Sequence, residues 1–230
     1  MIRVLIERDG RLREGEAHHL QVRRVESGET VELRDGEGLI GNGTLLRLGR
    51  TWTVEVGATE RVAPPPPLLL AVGAGDRERF AWVVEKAAEL GVTAVVPLEC
   101  DRTAGVATRV RPQHVERLRR QSLESVKQSG AAWFTRVDDP ISLDAFLEQS
   151  SEGVRWLADV TGLPPPAVVG KDRITVVIGP EGGLTEAERE RVLAAGYDPI
   201  QLATHTLRFE TAAVAAAAAA IAGRLRGSHG

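Results

Sequence analysis

The sequence predicts an α/β protein with two parts, a small N-terminal β-barrel and a C-terminal domain built on a mainly parallel sheet. The chain changes character at four consecutive prolines, residues 64–67, which form a stiff, extended spacer. Short β-rich runs separated by glycine, aspartate and asparagine turns precede the prolines. Strand and helix patterns alternate after them, as in parallel sheets covered by helices. We therefore expect domains at 1–63 and 68–230, joined by the proline linker.

The N-terminal part contains five β-rich runs and one short helix. A helix is predicted over 16–22. Residues 41–43, Gly-Asn-Gly, are interpreted as a turn between two strands. The predicted strands cover 3–6, 30–33, 38–41, 44–46 and 52–56. A barrel of about sixty residues accommodates these elements.

The C-terminal part alternates strands with amphipathic helices. Strands are predicted at 68–72, 92–96, 154–158, 173–178 and 199–203, and helices at 76–90, 112–129, 142–149, 185–195 and 210–225. Apolar residues in 76–90 recur at spacings of three and four, and Gly91 stops that helix. Thr185 and Glu188 form a capping-box pattern at the start of another, which ends at Gly196.

The composition of the 230 residues is that of a globular protein, with 43% hydrophobic and 27% charged residues. One cysteine, Cys100, cannot form a disulfide within the chain, and the five histidines lack zinc-site spacing. We expect no metal and a reducing, cytoplasmic setting. No apolar run approaches the roughly 20 residues that span a bilayer, so we expect no membrane association.

Charge distribution is more informative than the net charge of −3, which counts against a strongly basic nucleic-acid binder. Between Arg102 and Arg120 there are six arginines and one acidic residue, Glu116. This segment is either a positive patch for phosphates or an ordinary solvated helix face.

Two loops that follow predicted strands carry unusual residues. Residues 178–184 read Ile-Gly-Pro-Glu-Gly-Gly-Leu, and such glycines allow close approach of the backbone to a ligand. A tight connection without a ligand is the alternative, and no Gly-Lys-Ser/Thr follows that would make a phosphate loop. The second loop, 202–212, places Arg208 and Glu210 beside a helix start. Glu210 could instead interact favourably with the helix dipole and pair with Arg208, without any role in a site.

Two further patterns are weak. Gly73-Ala74-Gly75 resembles the start of a dinucleotide fingerprint, but the third glycine is missing. Cys100 has no histidine nearby in the sequence, and a buried structural thiol is the more common case.

The two loops together resemble the RsmE family, SPOUT-class 16S rRNA (uracil-N3)-methyltransferases. Ile-Gly-Pro-Glu-Gly-Gly at 178–183 is followed by Leu-Arg-Phe-Glu-Thr-Ala at 207–212. Segments 75–98, 124–130 and 18–36 are also similar, so the resemblance covers nearly the whole chain. The chain departs from the family pattern at Ala203 and His205, where the family has Gly-x-Arg, and at Phe209, where it has threonine.

The resemblance implies a PUA-like N-terminal barrel, a SPOUT domain with a trefoil knot, and S-adenosylmethionine as cofactor. It implies 16S rRNA of the small ribosomal subunit as substrate and a homodimer with the last helix at its interface. Arg208 and Glu210 are the candidate catalytic residues, with Glu181 next. The expected cofactor-binding residues are Ile178, Gly179, Pro180, Glu181, Gly182, Gly183, Leu202, Ala203, Thr206, Leu207, Arg208 and Thr211. The expected RNA-binding residues are Arg23, Arg24, Arg102, Arg109, Arg117 and Arg120.

Three alternative functions stay open on the sequence. The chain could be a non-catalytic RNA-binding protein on the same scaffold, because positions 203, 205 and 209 differ from the family. It could be a SPOUT methyltransferase that acts on a different RNA, such as transfer RNA. A nucleotide-dependent oxidoreductase is disfavoured by the incomplete glycine pattern at 73–75.

Overall fold

The computed structural model describes residues 2–49, 51–149, 152–166 and 172–227. The chain forms two compact units. Unit 1 consists of Met1–Pro65 together with Leu123–Phe134, and unit 2 of Pro66–Ser122 together with Thr135–Gly230. The boundary at 65/66 lies within the proline run, whereas nothing in the sequence predicts that residues 123–134 group with unit 1. The functional division into 1–63 and 68–230 stays a prediction.

Unit 1 is a four-stranded mixed sheet with one helix. Its elements are β1 (Ile2–Leu5), α1 (Glu16–Val22), β2 (Thr30–Arg34), β3 (Leu39–Leu48) and β4 (Thr51–Arg61). The strand order is β1-β2-β3-β4, with β1 parallel to β2 and the other pairs antiparallel. Alternating apolar residues of the strands pack with α1 into one core that includes Val4, Val31, Leu33, Leu45, Trp52 and Leu20.

The prediction of two strands and a turn at 38–46 is wrong, because the structure has the single strand β3 there. The pairing register with β4 shifts between Gly41 and Gly43, so Asn42 lies in a β-bulge. A Cβ at Gly41 would lie 2.6 Å from the carbonyl oxygen of Ala58, and one at Gly43 2.7 Å from that of Glu55. The glycines therefore serve close approach of β4 and do not mark a chain reversal.

Unit 2 is a seven-stranded sheet in which every pairing is parallel. The order is β11-β9-β10-β5-β6-β7, and β8 also pairs with β6. The strands are β5 (Leu68–Gly73), β6 (Ala94–Glu99), β7 (Arg136–Val137), β8 (Ile141–Ser142), β9 (Val154–Leu163), β10 (Ile174–Ile178) and β11 (Asp198–Ile200). The helices are α2 (Arg77–Glu89), α3 (Pro112–Ser129), α4 (Leu143–Glu148), α5 (Glu186–Ala194) and α6 (Phe209–Gly227), with a 3₁₀ turn, η1, at Asp101–Thr103. Helix α3 contributes residues to both units.

Both faces of this sheet are covered, which confirms the predicted fold class. Helices α2 and α6 share one core with alternating residues of β5, among them Leu70 and Val72. Helices α4 and α5 contribute to a second core with Ala71, on the opposite face of the same strand. The capping box predicted at Thr185 is also present.

Several details of unit 2 differ from the sequence prediction. Strand β6 covers Ala94–Glu99 and not 92–96, and β9 continues to Leu163 and does not end at 158. The last strand ends at Ile200 and not at 203, because its register with β9 shifts between Pro199 and Ile200 and the chain then leaves the sheet. Strands β7 and β8 were not predicted, since two residues are too few to show a period of two.

The alanine-rich helix α6 is packed within its own unit. Ala213, Ala216, Ala217 and Ala220 are fully buried in the core that also contains Phe80 of α2. Small side chains allow the close packing, so this alanine face needs no second chain to cover it. Among the described helices, including α6, none combines the length and apolar character that crossing a bilayer requires.

Candidate functional site

A cavity of about 340 Å³ lies in unit 2 beside the central residues of β9, where the neighbouring strands β10 and β11 end. The three strands are adjacent and parallel, so the loops that follow β10 and β11 meet at one edge of the sheet, next to β9. Ligands of open α/β sheets bind at such an edge. The cavity is lined by Leu157, Ala158, Asp159, Val160, Ile178, Gly179, Pro180, Glu181, Gly183, Leu184, Arg189, Ile200, Leu202, Ala203, His205, Thr206, Leu207, Phe209 and Ala212.

The loop after β10 is a tight turn that depends on its glycines. The N–H of Gly183 donates to the carbonyl of Pro180 at 2.8 Å, and Gly183 has φ +72°, a conformation that side chains with a Cβ rarely adopt. A Cβ at Gly179 would lie 3.0 Å from the backbone nitrogen of Leu184. The turn therefore presents backbone groups to the cavity with few side chains in the way.

Gly73, the last residue of β5, and Gly75 pack against this turn. A Cβ at Gly73 would lie 2.6 Å from Cδ and 2.8 Å from Cα of Pro180. A Cβ at Gly75 would collide with the carboxylate of Glu181. Close packing against the 179–183 turn therefore explains why residues 73 and 75 are glycines, and no bound dinucleotide is needed to account for them.

Residues of η1 and α5 hold the same turn on its other side. The guanidinium of Arg102 donates to the carbonyl of Gly182. The buried carboxylate of Glu188 accepts from the backbone N–H groups of Asp101 and Thr185, each at 2.8 Å. Arg102 was predicted to bind RNA, which stays a prediction; in the structure its side chain contacts the backbone of the 178–184 loop.

Asp159 in β9 and Arg189 in α5 form a charged part of the cavity lining that the sequence prediction missed. The Asp159 carboxylate pairs with Nε of Arg189 at 2.6 Å and is 11% exposed. Its other oxygen accepts from the backbone N–H and the hydroxyl of Thr161, both at 2.8 Å. Burial raises the pKa of Asp159, but these hydrogen bonds and Arg189 outweigh it, so the pKa lies below its ordinary value. The Asp-x-Thr turn pattern after a predicted strand was the one available sequence signal.

Most of the predicted cofactor-binding residues line the cavity. Ile178, Gly179, Pro180, Glu181, Gly183, Leu202, Ala203, Thr206 and Leu207 are in its wall. Gly182, Arg208 and Thr211 are not, so any contact of theirs with a ligand would require a different arrangement. The three positions that depart from the RsmE pattern, Ala203, His205 and Phe209, all line the cavity.

The two catalytic candidates, Arg208 and Glu210, are outside the cavity lining, although their chain neighbours Leu207 and Phe209 belong to it. Arg208 is exposed. Glu210 is in the first turn of α6, where the helix dipole favours a negative charge. Its Oε1 is 3.8 Å from an Arg79 nitrogen, while its buried Oε2 has no hydrogen-bond partner among the described residues. A buried acceptor without a partner is costly, so Glu210 has unused hydrogen-bonding capacity.

The predicted RNA-binding arginines differ in whether their side chains already contact other residues of the chain. In unit 2, Arg117 pairs with Glu78 at 3.2 Å, Arg109 donates to the carbonyl of Ala104, and Arg120 is exposed. In unit 1, Arg23 and Arg24 end helix α1 and are exposed. Arg24 has φ 54° in a left-handed conformation, and it alone does so among the described residues other than glycine.

No group of three or more His, Cys, Asp or Glu side chains within the described part of the chain is arranged to hold a metal ion. The ionisable residues of the cavity lining are Asp159, Glu181, Arg189 and His205. The cavity thus has mainly apolar walls with a few polar groups, as is typical of small-molecule sites.

Known proteins that are similar to this chain are RNA methyltransferases. Residues 63–221 match a family model described as RNA methyltransferase domain. The chain is 30% identical over 228 residues to ribosomal RNA small subunit methyltransferase E of Synechocystis sp., covering 93% of this chain and 73% of the relative. It is 28% identical to the protein of that name from Aquifex aeolicus, covering 88% and 90%. A crystal structure of the Neisseria gonorrhoeae protein of that name bound to S-adenosyl methionine superposes with a TM-score of 0.85, at 25% identity and coverage of 95% and 96%.

Proposed function

Because the chain belongs to the RNA methyltransferase family, we propose that it transfers a methyl group from S-adenosylmethionine to N3 of a uridine in 16S rRNA of the small ribosomal subunit. The names of its relatives support the ribosomal RNA substrate, and the Neisseria structure supports the cofactor. The choice of uracil N3 rests on the RsmE resemblance. The single observation that carries the proposal is the cavity formed by the central residues of β9 and the loops that follow β10 and β11.

The residues present fit S-adenosylmethionine. Small-molecule sites have volumes of about 300–1,000 Å³, and the cavity is at the lower end of that range. Apolar side chains such as Ile178, Leu202 and Leu207 suit a flat base, and the turn at 179–183 offers backbone donors and acceptors. The polar group at Asp159 suits the sugar or amino-acid part. When bound, the cofactor supplies an activated methyl group on a sulfonium.

The protein's contribution to such a transfer is mainly positioning. A direct displacement requires the acceptor nitrogen in line with the methyl group. The packing of the 179–183 turn against Gly73 and Gly75 therefore helps to position the methyl donor.

Uracil N3 carries a proton that must leave during methylation. Glu210 is the best candidate to accept it, because it follows the lining residue Phe209 in the chain and its buried Oε2 has no hydrogen-bond partner among the described residues. Arg208, exposed two positions earlier, is suited to contact an RNA phosphate or to stabilise the uracil anion.

A matched pair of variants tests these two assignments. Glu210→Gln should bind S-adenosylmethionine normally but transfer methyl groups roughly 100-fold more slowly, as for loss of a general base. Arg208→Ala should raise the KM for RNA while cofactor affinity stays the same. Single-turnover rates and calorimetry measure the two effects. Near-normal rates in both variants would remove both residues from the reaction.

RNA contacts are proposed for both units. Arg23 and Arg24 would grip phosphates from unit 1, and Arg102, Arg109, Arg117 and Arg120 from unit 2. Removing a phosphate contact should flatten the salt dependence of RNA binding. A homodimer and a cytoplasmic location also belong to the proposal. Sedimentation measures the first, and the second follows from the proposed ribosomal substrate.

The direct test of the function uses the purified protein, S-adenosylmethionine with a tritiated methyl group, and small ribosomal subunits or free 16S rRNA. Nucleoside analysis of the digested RNA should give N3-methyluridine, and 16S rRNA from cells that lack the gene should lack one such residue. Label in another nucleoside or in transfer RNA would refute the proposed substrate. No label in any RNA would refute the proposed reaction.

A further inference from the structure

We propose that Asp159 is a specificity-determining residue of the cofactor cavity, where a free acceptor position on its Oδ2 receives a hydrogen bond from a ribose hydroxyl of the bound adenosyl group. This inference rests on the proposed function and goes beyond it, because neither the loop motifs nor the names of the relatives assign a role to this residue.

The carboxylate is fixed before any ligand binds. Oδ1 accepts from the N–H and the hydroxyl of Thr161, which uses both of its lone pairs. Oδ2 accepts from Nε of Arg189 at 2.6 Å, which uses one. A second nitrogen of Arg189 donates to the Thr161 hydroxyl oxygen at 3.1 Å and closes the network. One acceptor position on Oδ2 therefore has no partner among the described residues.

The location of Asp159 on the cavity wall indicates which part of the ligand it contacts. Asp159 follows the buried Leu157 and precedes Val160, which is 55% exposed, so its side chain lies at the boundary between the apolar interior and solvent. With a base in the apolar interior, the sugar would occupy this boundary. Carboxylates are established acceptors for ribose hydroxyls in adenosyl cofactor sites.

Charge balance argues against the alternative that Asp159 binds the ammonium group of the cofactor. Arg189 already compensates the carboxylate at 2.6 Å, so an added cation would gain little. A neutral donor such as a hydroxyl needs only the free lone pair. Glu181, the other carboxylate of the lining, is exposed and lies against Gly75.

The experiment measures affinity by calorimetry for S-adenosylhomocysteine and for its 2′-deoxy and 3′-deoxy analogues. The wild-type protein should bind one of the deoxy analogues roughly 10-fold or more weakly than the parent. Asp159→Asn should bind the parent roughly 10- to 100-fold more weakly, and its preference for the parent over that analogue should fall to about onefold.

The preference ratio separates recognition from a structural role. A residue that only held the fold would weaken all three ligands alike and leave the ratio unchanged. Asp159→Glu keeps the charge and displaces the carboxylate oxygens, so its preference for the parent ligand over the deoxy analogue should also fall to about onefold. This variant provides the test if Asp159→Asn does not fold. Glu186→Gln, which removes a 3.4 Å contact of Arg189 outside the cavity lining, should leave every affinity within about twofold.

Each result decides the inference. An unchanged ratio in Asp159→Asn or Asp159→Glu would overturn it while leaving the proposed function intact. A wild-type protein that binds both deoxy analogues as well as the parent would overturn it in the same way. A wild-type protein that binds none of the three ligands would refute the proposed function, and the inference with it.

Discussion

Replacement of Gly73 by alanine tests how the cofactor loop is held in place. The new Cβ would lie closest to the backbone nitrogen of Pro180 and 2.6 Å from its Cδ, whereas ordinary contacts begin at 3.4 Å. The neighbouring atoms are the backbone and ring of a proline, which cannot rotate away. The 179–183 turn must therefore retreat by roughly 1 Å, or the end of β5 must move by that amount.

The displacement should weaken both stability and activity. Overpacking of this kind lowers the free energy of unfolding by about 1–3 kcal/mol. A shift approaching 1 Å in a group that positions the methyl donor can reduce the transfer rate by about 100-fold. Urea unfolding, calorimetry with S-adenosylmethionine, and single-turnover methyl transfer measure the three quantities.

Gly105→Ala is the matched control. A Cβ at Gly105 would meet nothing within 4 Å, and this glycine does not have a positive φ. Its stability and cofactor affinity should stay within about 0.5 kcal/mol of the wild type. If Gly73→Ala behaved like Gly105→Ala, the turn would not depend on the end of β5, and the reasoning about the paired glycines would be refuted.

Three more predictions follow from single contacts. Arg102→Ala removes the hydrogen bond to the Gly182 carbonyl, so S-adenosylmethionine should bind about 3- to 10-fold more weakly in calorimetry without RNA, and an unchanged Kd would limit Arg102 to an RNA role. Arg24→Gly relieves a left-handed φ of 54°, so the free energy of unfolding in urea should rise by up to about 1 kcal/mol while RNA affinity in filter binding falls; a destabilised variant would contradict this. Burial raises the pKa of Cys100 to about 12, so at pH 8 iodoacetamide should label it at least about 100-fold more slowly in the native protein than in urea, and rapid native labelling would show that the thiol is accessible.

The parts of the site that could be predicted are those encoded by neighbouring residues. The glycine-rich loop after β10 is a local pattern, and three glycines within five residues indicate an unusual backbone whatever the sheet order is. The capping box at Thr185 is also local, and it is present as predicted. The parallel sheet followed from the alternation of strands and helices.

The parts that could not be predicted depend on which strands become neighbours. Asp159 joins the cavity only because β9 pairs with both β10 and β11, and no local pattern specifies that order. Its partner Arg189 is thirty residues away along the chain. Both were missed for this reason.

Glycines were the residues most open to misinterpretation. At 41–43 they suggested a turn, and at 73–75 a nucleotide fingerprint, but in both places they permit close approach of another segment. Glycine reports that a Cβ is not tolerated, and only the fold shows which neighbour excludes it. The alanine face of α6 presents the same ambiguity, because close packing on α2 explains it as well as a dimer does.

A crystal structure of the protein with S-adenosylhomocysteine would locate the cofactor. We expect ligand density in the cavity beside β9 and the ends of β10 and β11, with the base between the 178–184 and 202–207 loops and the ribose beside Asp159. Density at another place on the chain, with this cavity closed by the protein's own side chains, would contradict this expectation.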